Sequence, residues 1–310
     1  MRGLLQKTGQ VELDASTIPN SAVIWPRITI VTSVYNGAKY LEATIRSIVY
    51  QGYPNLEYIV VDGASTDGTL EIIKKYEPHI SWWISQRDNG LYDALNTGFA
   101  RSTGEIMGWL NASDMLHTGG LAVVGSVFQA FRQVQWITGL PTAFAEDGTT
   151  TGVCPLPHWS RTRFLAGANR YIQQESTYWR RELWEKAGGY VDATRRDASD
   201  FDLWLRFFRH AQLYSVDSLI GGYRIHSDSI VALDPKAYDR SMEEILSQEL
   251  KSLNGEHWIT LFRSLGAKAQ KIPKVSGLWA RIITPALYRV RGPDWPPVIR
   301  NRGGKWLLTD

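Results

Sequence analysis

Residues 104–117 read GEIMGWLNASDMLH, an apolar run followed by a short polar step that holds one carboxylate, Asp114. We interpret Ile106 to Leu110 as a buried strand that ends just before this carboxylate. Open α/β sheets bind ligands at the carboxyl ends of their strands, where rigid strands meet exposed loops. The stretch therefore predicts a candidate active centre at Asp114. The alternative is that Asp114 only caps the helix predicted between Gly119 and Phe131.

Strands and helices alternate along the chain before this stretch. The sequence ITIVTSV predicts a strand at Ile28–Val34, YIVVD predicts one at Tyr58–Asp62, and a short one lies around Ser81–Ser85. Apolar residues recur at helical spacing after each strand, as in the helix predicted from Leu91 to Arg101. The alternation predicts an α/β fold with a doubly wound, mostly parallel sheet and helices on both faces. Polar clusters follow the strands, so four loops should share one edge; these are Asn36-Gly37, Asp62-Gly63, Asp88-Asn89 and Asn111 to Asp114.

The alternation weakens after residue 131. Residues 139–170 are rich in Gly, Thr and Pro and predict an irregular segment, whereas 171–181 is strand-like. DASDFDLWLRFF then begins a helix, and strands follow around 213–216 and 219–224. We divide the chain into an N-terminal arm (1–26), a main domain (27–232) and a C-terminal helical or irregular extension (233–310) with a basic, tryptophan-containing tail.

Composition limits the classes of protein. The net charge of +3 over 310 residues does not favour nucleic acid, and the single Cys154 excludes an intrachain disulfide and a Cys-based zinc site. No stretch approaches 18 consecutive apolar residues, and the N-terminus lacks the apolar run of a secretory signal. We therefore expect a cytoplasmic protein without a transmembrane helix.

The tail carries a separate hypothesis. Residues 271–310 contain eight basic and two acidic residues, and Trp279, Trp295 and Trp306 are interleaved with them. This pattern is typical of a membrane-surface segment and predicts a peripheral position at the inner face of the cell membrane. The alternative is a tail that wraps its own domain.

The successive segments VTSVYNG, VVDGASTDGT, WISQRDNGLYDALNTGFARSTGEIMGWLNASD, QQESTYWRR, SDFDLWLRF and YRIH resemble the family 2 glycosyltransferases, which have the GT-A fold. The resemblance covers about residues 27–230 and depends on the order and spacing of the motifs. It implies transfer of a sugar, of the hexosyl type, from a nucleotide diphosphate sugar to an acceptor hydroxyl, with Mn²⁺ or Mg²⁺ and inversion at the anomeric carbon. Cell-surface polysaccharide or a lipid-linked glycan is the expected acceptor.

The resemblance also assigns roles to single residues. Asp114 matches the last carboxylate of the family's metal motif and His226 the histidine that completes the metal site, although Ser113 stands where many relatives have a second acid. Asp200 matches the catalytic base, and we expect its place at a helix N-terminus to favour the ionised form. The alternatives are that Asp200 is only an N-cap and that His226 is a surface residue.

The remaining matches concern the two substrates. We expect Gln174 and Glu175 to contact the acceptor or the donor sugar; the alternative is that this polar pair at the end of a strand is structural. Gly63 and Leu95 depart from the family pattern, which leaves UDP, dTDP and GDP donors open. The expected nucleotide-sugar contacts are Thr32, Ser33, Tyr35, Asp62, Asp88, Asn111 and Ser113.

Three other functions can be weighed against this one. A non-catalytic nucleotide-sugar or glycan-binding domain is compatible with the missing acid at Ser113. A nucleotidyltransferase would need a basic, glycine-rich phosphate loop that ITIVTSVYNG lacks, and no GxGxxG follows a strand, which disfavours a dinucleotide dehydrogenase.

Overall fold

A computed structural model describes residues 24–167, 171–195, 197–229, 234, 236–252 and 295–310. The strands, in chain order, are β1 (Ile28–Val34), β2 (Leu56–Asp62), β3 (Trp82–Ser85), β4 (Ile106–Trp109), β5 (Met115–Leu116), β6 (Trp136–Thr138), β7 (Thr142–Phe144), β8 (Thr150–Val153), β9 (Thr177–Arg180), β10 (Leu213–Ser215), β11 (Gly221–Arg224), β12 (Val298–Arg302) and β13 (Lys305–Thr309). The α-helices are α1 (Leu41–Val49), α2 (Thr69–Tyr76), α3 (Leu91–Arg101), α4 (Gly120–Ala130), α5 (Arg161–Leu165), α6 (Arg181–Lys186), α7 (Ser199–Phe208) and α8 (Ala237–Ser252).

A seven-stranded sheet with the order β10-β6-β9-β4-β1-β2-β3 forms the centre of the described part of the chain. β1 pairs in parallel with both β2 and β4, and β2 pairs in parallel with β3, whereas β9 runs antiparallel to β4 and β6. The register places Val34 beside Asp62 and Asp62 beside Ser85, so the strand ends are level. The predicted α/β fold with a mostly parallel sheet is therefore confirmed.

Two apolar cores cover the two faces of this sheet. Side chains alternate along β1, so that Ile30 lies in one core and Val31 in the other. The Ile30 core contains Leu41 and Ile45 of α1 together with buried residues of α4, whereas the Val31 core contains residues of α3, α7 and α8. Helices on both faces are thus confirmed.

Residues 139–170, predicted to be irregular, contain ordered strands. β7 and β8 join a four-stranded sheet of order β5-β11-β7-β8. These strands are two to four residues long, so they show no sequence periodicity. The pairing of β11 with β5 matters for function because it brings Gly221–Arg224 alongside the residues that follow Asp114.

The C-terminal extension is helical in α8 but ends in a β-hairpin, which differs from the prediction of a helical or irregular segment. β12 pairs with β13 around Gly303-Gly304, a two-residue turn that is itself a hairpin signal. Trp306 donates a hydrogen bond to Ser126 Oγ (2.9 Å), and the Trp295 ring lies 4.7 Å from the Arg163 guanidinium. Two of the three tail tryptophans therefore pack on the domain, while Trp279 and residues 1–23 lie outside the described residues.

Within the described ranges, no helix is both long enough and apolar enough to cross a bilayer.

Candidate active site

A cavity of about 740 Å³ opens at the carboxyl edge of the central sheet. Its walls come from the end of β4, the 174–176 turn, the start of α7, the segment after β11 and the start of α8. Seven residues predicted from sequence line it, although they are spread over more than a hundred positions of the chain; they are Asn111, Ser113, Asp114, Gln174, Glu175, Asp200 and His226.

Asp114 is nearly inaccessible, with 1% of its surface exposed. Its Oδ1 accepts a hydrogen bond from the Arg224 backbone N–H (2.9 Å), and its Oδ2 accepts one from Asn111 Nδ2 (3.2 Å). Burial raises the pKa of the Asp114 carboxyl to about 6. A carboxylate that is buried without a cationic side chain bonded to it favours a bound proton or a bound cation.

Glu175 shares a hydrogen bond with Asp114 inside this cavity. Burial, and then the charge of Asp114, raise the pKa of Glu175 well above its usual range. Two buried carboxyl groups this close do not both ionise readily, so a proton on Glu175 is favoured. The sequence assigned Glu175 to substrate contacts, but its position beside Asp114 was not expected.

Gln174 is held against the end of β4. Its Nε2 donates to the Trp109 backbone carbonyl, and its Oε1 accepts from Asn111 Nδ2 (3.2 Å). These contacts join the 174–176 turn to the loop that carries Asp114. Gln174 therefore positions the cavity wall in addition to lining it.

Asp200 is the second residue of α7 and lines the same cavity. Tyr238 donates a hydrogen bond to its Oδ2 (2.8 Å), whereas its buried Oδ1 has no partner among the described residues. Burial raises the pKa of Asp200, which is opposite to the effect expected from the helix N-terminus. The desolvation of the charged form outweighs the helix dipole here. Ala198, just before α7, has a φ of 59°, a conformation sparsely populated by residues other than glycine and enriched at functional sites.

His226 and Arg224 present polar atoms without partners in the part of the chain that is described. Both ring nitrogens of His226 are buried and unbonded, and burial lowers the pKa of this imidazole, which keeps it neutral at pH 7. Arg224 is 3% exposed, and its Nε and Nη2 atoms have no acceptor. A buried guanidinium with two unused donors is costly unless an anion binds there. Both side chains lie against the ring of Tyr40, at 4.5 Å for His226 and 5.2 Å for Arg224.

The five remaining predicted nucleotide contacts do not line the cavity but cluster at the ends of β1 to β3 and in the loops beyond them. Thr32 is fully buried, and its Oγ1 accepts a hydrogen bond from Tyr58 (3.2 Å), so its side chain faces the core. Ser33 Oγ is buried without a described partner, whereas Tyr35 is 69% exposed.

Asp62 ends β2, and Asp88 lies beside the next residue, Gly63. Asp62 accepts hydrogen bonds from Ser65 N–H (3.1 Å) and Ser85 Oγ (2.5 Å). A Cβ at Gly63 would lie 3.0 Å from Asp88 Oδ2. The lack of a side chain at Gly63 therefore leaves room for the Asp88 carboxylate beside the end of β2. Asp88 Oδ1 also accepts from Gly90 N–H (2.9 Å), the turn contact that its loop position favours.

Sequence reasoning missed two site residues, Arg224 and Tyr238. Arg224 lies in the quoted motif YRIH, two residues before His226, but its burial could not be read from the sequence. Tyr238 lies beyond the last motif, and we find no sequence signal that would have identified it.

Asp114 and His226 line the same cavity, and a carboxylate and a neutral imidazole are both side chains that can ligate a divalent cation. Among the described residues, no three His, Cys, Asp or Glu side chains form a metal cluster. Mg²⁺ and similar cations are usually held by one or two carboxylates, with substrate phosphates as further ligands, so a complete protein cage is not required. The unbonded His226 nitrogens and the raised pKa of Asp114 are the observations that support this fit.

Part of the chain is similar in sequence to known glycosyltransferases. Residues 29–134 match the family model described as Glycosyl transferase family 2. An uncharacterized glycosyltransferase of Mycobacterium tuberculosis is 29% identical over 171 residues, which is 53% of this chain and 63% of that protein. The chain thus matches less than two thirds of the length of that relative.

Solved structures share the fold at low sequence identity. S. aureus TarS 1-349 has a TM-score of 0.59 and 18% identity, covering 83% of this chain and 75% of TarS, and it has also been crystallised with UDP-GlcNAc. The mannosyltransferase PcManGT from Pyrobaculum calidifontis, in complex with GDP-Man and Mn²⁺, has a TM-score of 0.53 and 19% identity, covering 89% of this chain and 86% of PcManGT. The expected GT-A fold and the resemblance stated from sequence are both confirmed.

Proposed function

We propose that this chain, a member of glycosyltransferase family 2, transfers a sugar from a nucleotide diphosphate sugar to an acceptor hydroxyl with inversion at the anomeric carbon. The observation that carries the proposal is the convergence of Asp114, Asp200 and His226 on one cavity. A hexosyl donor and an acceptor in cell-surface polysaccharide or a lipid-linked glycan complete the proposal.

The nucleotide would lie across the ends of β1 to β3, with its diphosphate toward the main cavity. Ser33, Asp62 and Asp88 are the proposed contacts to the nucleoside, because Ser33 Oγ is unused, Asp62 ends β2 and Asp88 lies beside the adjoining Gly63. Arg224 would donate hydrogen bonds to the diphosphate from its two unused nitrogen atoms, Nε and Nη2. Thr32 is left out of these contacts because its hydroxyl is engaged by Tyr58 in the core.

Asp114 and His226 would hold a divalent cation, which when bound offsets the negative charge that develops on the nucleoside diphosphate leaving group. Glu175 would give up the proton that it shares with Asp114 when the cation enters. The missing acid at position 113 would then be replaced by a carboxylate from another element of the fold.

Asp200 would act as the base. Its unpartnered Oδ1 accepts the proton of the acceptor hydroxyl while the hydroxyl oxygen forms a bond to the anomeric carbon. The bond from that carbon to the diphosphate oxygen breaks in the same displacement, so the configuration inverts. A raised pKa makes Asp200 a stronger base than an exposed aspartate, and general base catalysis typically contributes ~10²- to 10⁴-fold.

The first experiment is a thermal-shift panel of UDP, dTDP and GDP and their sugars with Mn²⁺ or Mg²⁺. The compound that raises the melting temperature identifies the donor before any acceptor is known. No shift with any member of the panel would contradict the proposed donor class.

The second experiment tests the base with Asp200→Asn, using Asp202→Asn as the matched control. Asp202 is two residues away on α7 but is paired with Arg206 (2.9 Å) and does not line the cavity. We expect Asp200→Asn to lower the release of nucleoside diphosphate at least roughly 100-fold with unchanged donor affinity by calorimetry, and Asp202→Asn to keep most turnover. Wild-type turnover in Asp200→Asn would remove the base assignment.

A non-catalytic nucleotide-sugar or glycan-binding domain is the second candidate. Ser113 in place of an acid is the observation that favours it. It predicts donor binding in the thermal-shift panel without turnover when Mn²⁺ is present.

A further inference from the structure

The helix α8 begins beside Asp200, although it lies outside residues 29–134, which match the family model. Tyr238 is the second residue of α8, and its hydroxyl donates to Asp200 Oδ2 at 2.8 Å. Both side chains line the main cavity. The C-terminal extension thus reaches the proposed base directly.

The position of Tyr238 is fixed by the packing of the whole helix. Met242, Ile245 and Leu246 are buried in the core that also holds α7, and Arg209 of the segment after α7 bonds Glu249 (3.1 Å between Nε and Oε1). The ring of Tyr238 also stacks on Tyr171, with centroids 6.0 Å apart and an interplanar angle of 24°. The hydroxyl is therefore held in place before any substrate binds.

We propose that Tyr238 is a positioning residue that engages Oδ2 of Asp200 and so reserves Oδ1 for the acceptor hydroxyl, which makes α8 part of the catalytic apparatus. The inference rests on the proposed function, because it assumes that Asp200 is the base. A carboxylate with one oxygen fixed by a rigid donor loses the rotational freedom that would otherwise misdirect the reacting oxygen.

The same hydrogen bond opposes the effect of burial on Asp200. A donor to the ionised carboxylate lowers its pKa, whereas burial raises it. The other titratable groups close to Asp200 are Tyr92 of α3, whose pKa burial raises, and Glu175 of the 174–176 turn, which shares its proton with Asp114. Asp197, Asp228, Asp239 and His226 line the cavity as well. None of these groups has a described hydrogen bond to the Asp200 side chain. The backbone N–H groups of Asp200 and Phe201 also lower the pKa of Asp200, but a side-chain substitution cannot remove them, so Tyr238 is the contact to remove.

The experiment compares Tyr238→Phe with Tyr76→Phe. The first variant keeps the ring that stacks on Tyr171 and removes only the hydroxyl. The control removes a matching hydrogen bond, from Tyr76 to Glu42 Oε1 (also 2.8 Å), away from the cavity. The readout is the pH dependence of kcat/KM for release of nucleoside diphosphate, with the donor identified in the thermal-shift panel.

We expect the acidic limb of the Tyr238→Phe profile to move upward by about one to two pH units, the effect of losing one hydrogen bond to a charged group. The deficit should be tenfold or more on the acidic side and should shrink toward high pH, while the KM for the donor stays unchanged. Tyr76→Phe should keep the wild-type profile.

A Tyr238→Phe profile that matches wild type, or activity lost equally at every pH, would overturn the inference. If Tyr238→Phe does not fold, 3-fluorotyrosine is incorporated at position 238 instead. Its hydroxyl is a stronger hydrogen-bond donor than that of tyrosine, so the acidic limb of the kcat/KM profile should move to lower pH. An acidic limb that does not move counts against a positioning role. Wild-type turnover in Asp200→Asn would instead refute the base assignment and hence the proposed function. The two failures are therefore distinguishable.

Discussion

Replacement of Asp114 by asparagine should stabilise the fold at neutral pH while it removes cation-dependent binding. Asp114 is 1% exposed, and burial raises its pKa from the usual 3.8 to about 6. The native state therefore binds a proton more tightly than the unfolded chain, and stability falls as the pH rises from about 4 to about 6. A shift of this size corresponds to a penalty on the order of 3 kcal/mol, fully present above pH 6.

The substitution leaves the local hydrogen bond to the backbone intact. An asparagine at position 114 is neutral at every pH, and its side-chain carbonyl can still accept from Arg224 N–H. It also removes the charge that helps to raise the pKa of Glu175. For a chain of this size, a gain on the order of 3 kcal/mol corresponds to a rise in melting temperature of about 5 °C.

The assay is thermal unfolding in EDTA between pH 4 and pH 8. The melting temperatures of Asp114→Asn and wild type should agree near pH 4 and separate as the pH rises to 6. Asp147→Asn is the control, because hydrogen bonds from Thr149 lower the pKa of Asp147 and its replacement should give no stabilisation at neutral pH.

The second half of the assay adds Mn²⁺ and the nucleoside diphosphate at pH 7. The wild type should then gain stability through ligand binding, and Asp114→Asn should not. An Asp114→Asn protein that is less stable than wild type at pH 7 in EDTA would refute the reasoning about burial. An equal gain from Mn²⁺ in both proteins would refute the metal role.

Two further substitutions test the β5–β11 corner of the cavity. Arg224→Met should weaken binding of the nucleoside diphosphate at least about tenfold by titration calorimetry, because two charged donors are lost; a Kd within about twofold of wild type would contradict this. Gly221→Ala should lower the free energy of unfolding in urea by roughly 1–3 kcal/mol and weaken donor binding, because its Cβ would meet the Glu175 carbonyl oxygen at 2.2 Å. Gly152→Ala, with no atom within 4 Å of its Cβ, should have little effect, and equal losses in the two glycine variants would argue against this account.

The first half of the fold could be predicted because local and tertiary preferences agree there. Strand β1 and helix α3 have the predicted bounds. The run of β-branched residues in β1 is compatible only with a strand, and the apolar spacing in α3 only with a helix. Strands β6, β7 and β8 are three or four residues long, and their pairing depends on distant partners, so no periodic signal precedes them. The hairpin at the C-terminus had a local signal in Gly303-Gly304, but the surrounding prolines and charges favoured an irregular interpretation.

The candidate site divides in the same way. Asp114, Asp200 and His226 were identified by motif, and all three line one cavity. The prediction that the N-terminus of α7 favours the ionised form of Asp200 was wrong in direction, because burial raises the pKa of this carboxyl. The prediction considered α7 alone, whereas α3 and α8 also bury the carboxyl group. Tyr238 could not be predicted, because its proximity to Asp200 depends on how α8 packs.

The C-terminal hairpin has a practical consequence for the design of shortened proteins. β12 forms a parallel bridge from Ile299 to Val216, immediately after β10 at the border of the central sheet. Arg300 also bonds Asp217 (3.0 Å between Nε and Oδ2) at that border. Deleting the last residues would free the Asp217 backbone N–H, which donates to the Ile299 carbonyl (2.9 Å), and would uncover the end of β10 at an edge of the sheet, where open backbone groups are a template for self-association. Affinity for anionic lipid is therefore better tested by neutralising the exposed Arg302 and Lys305, which leaves the border covered.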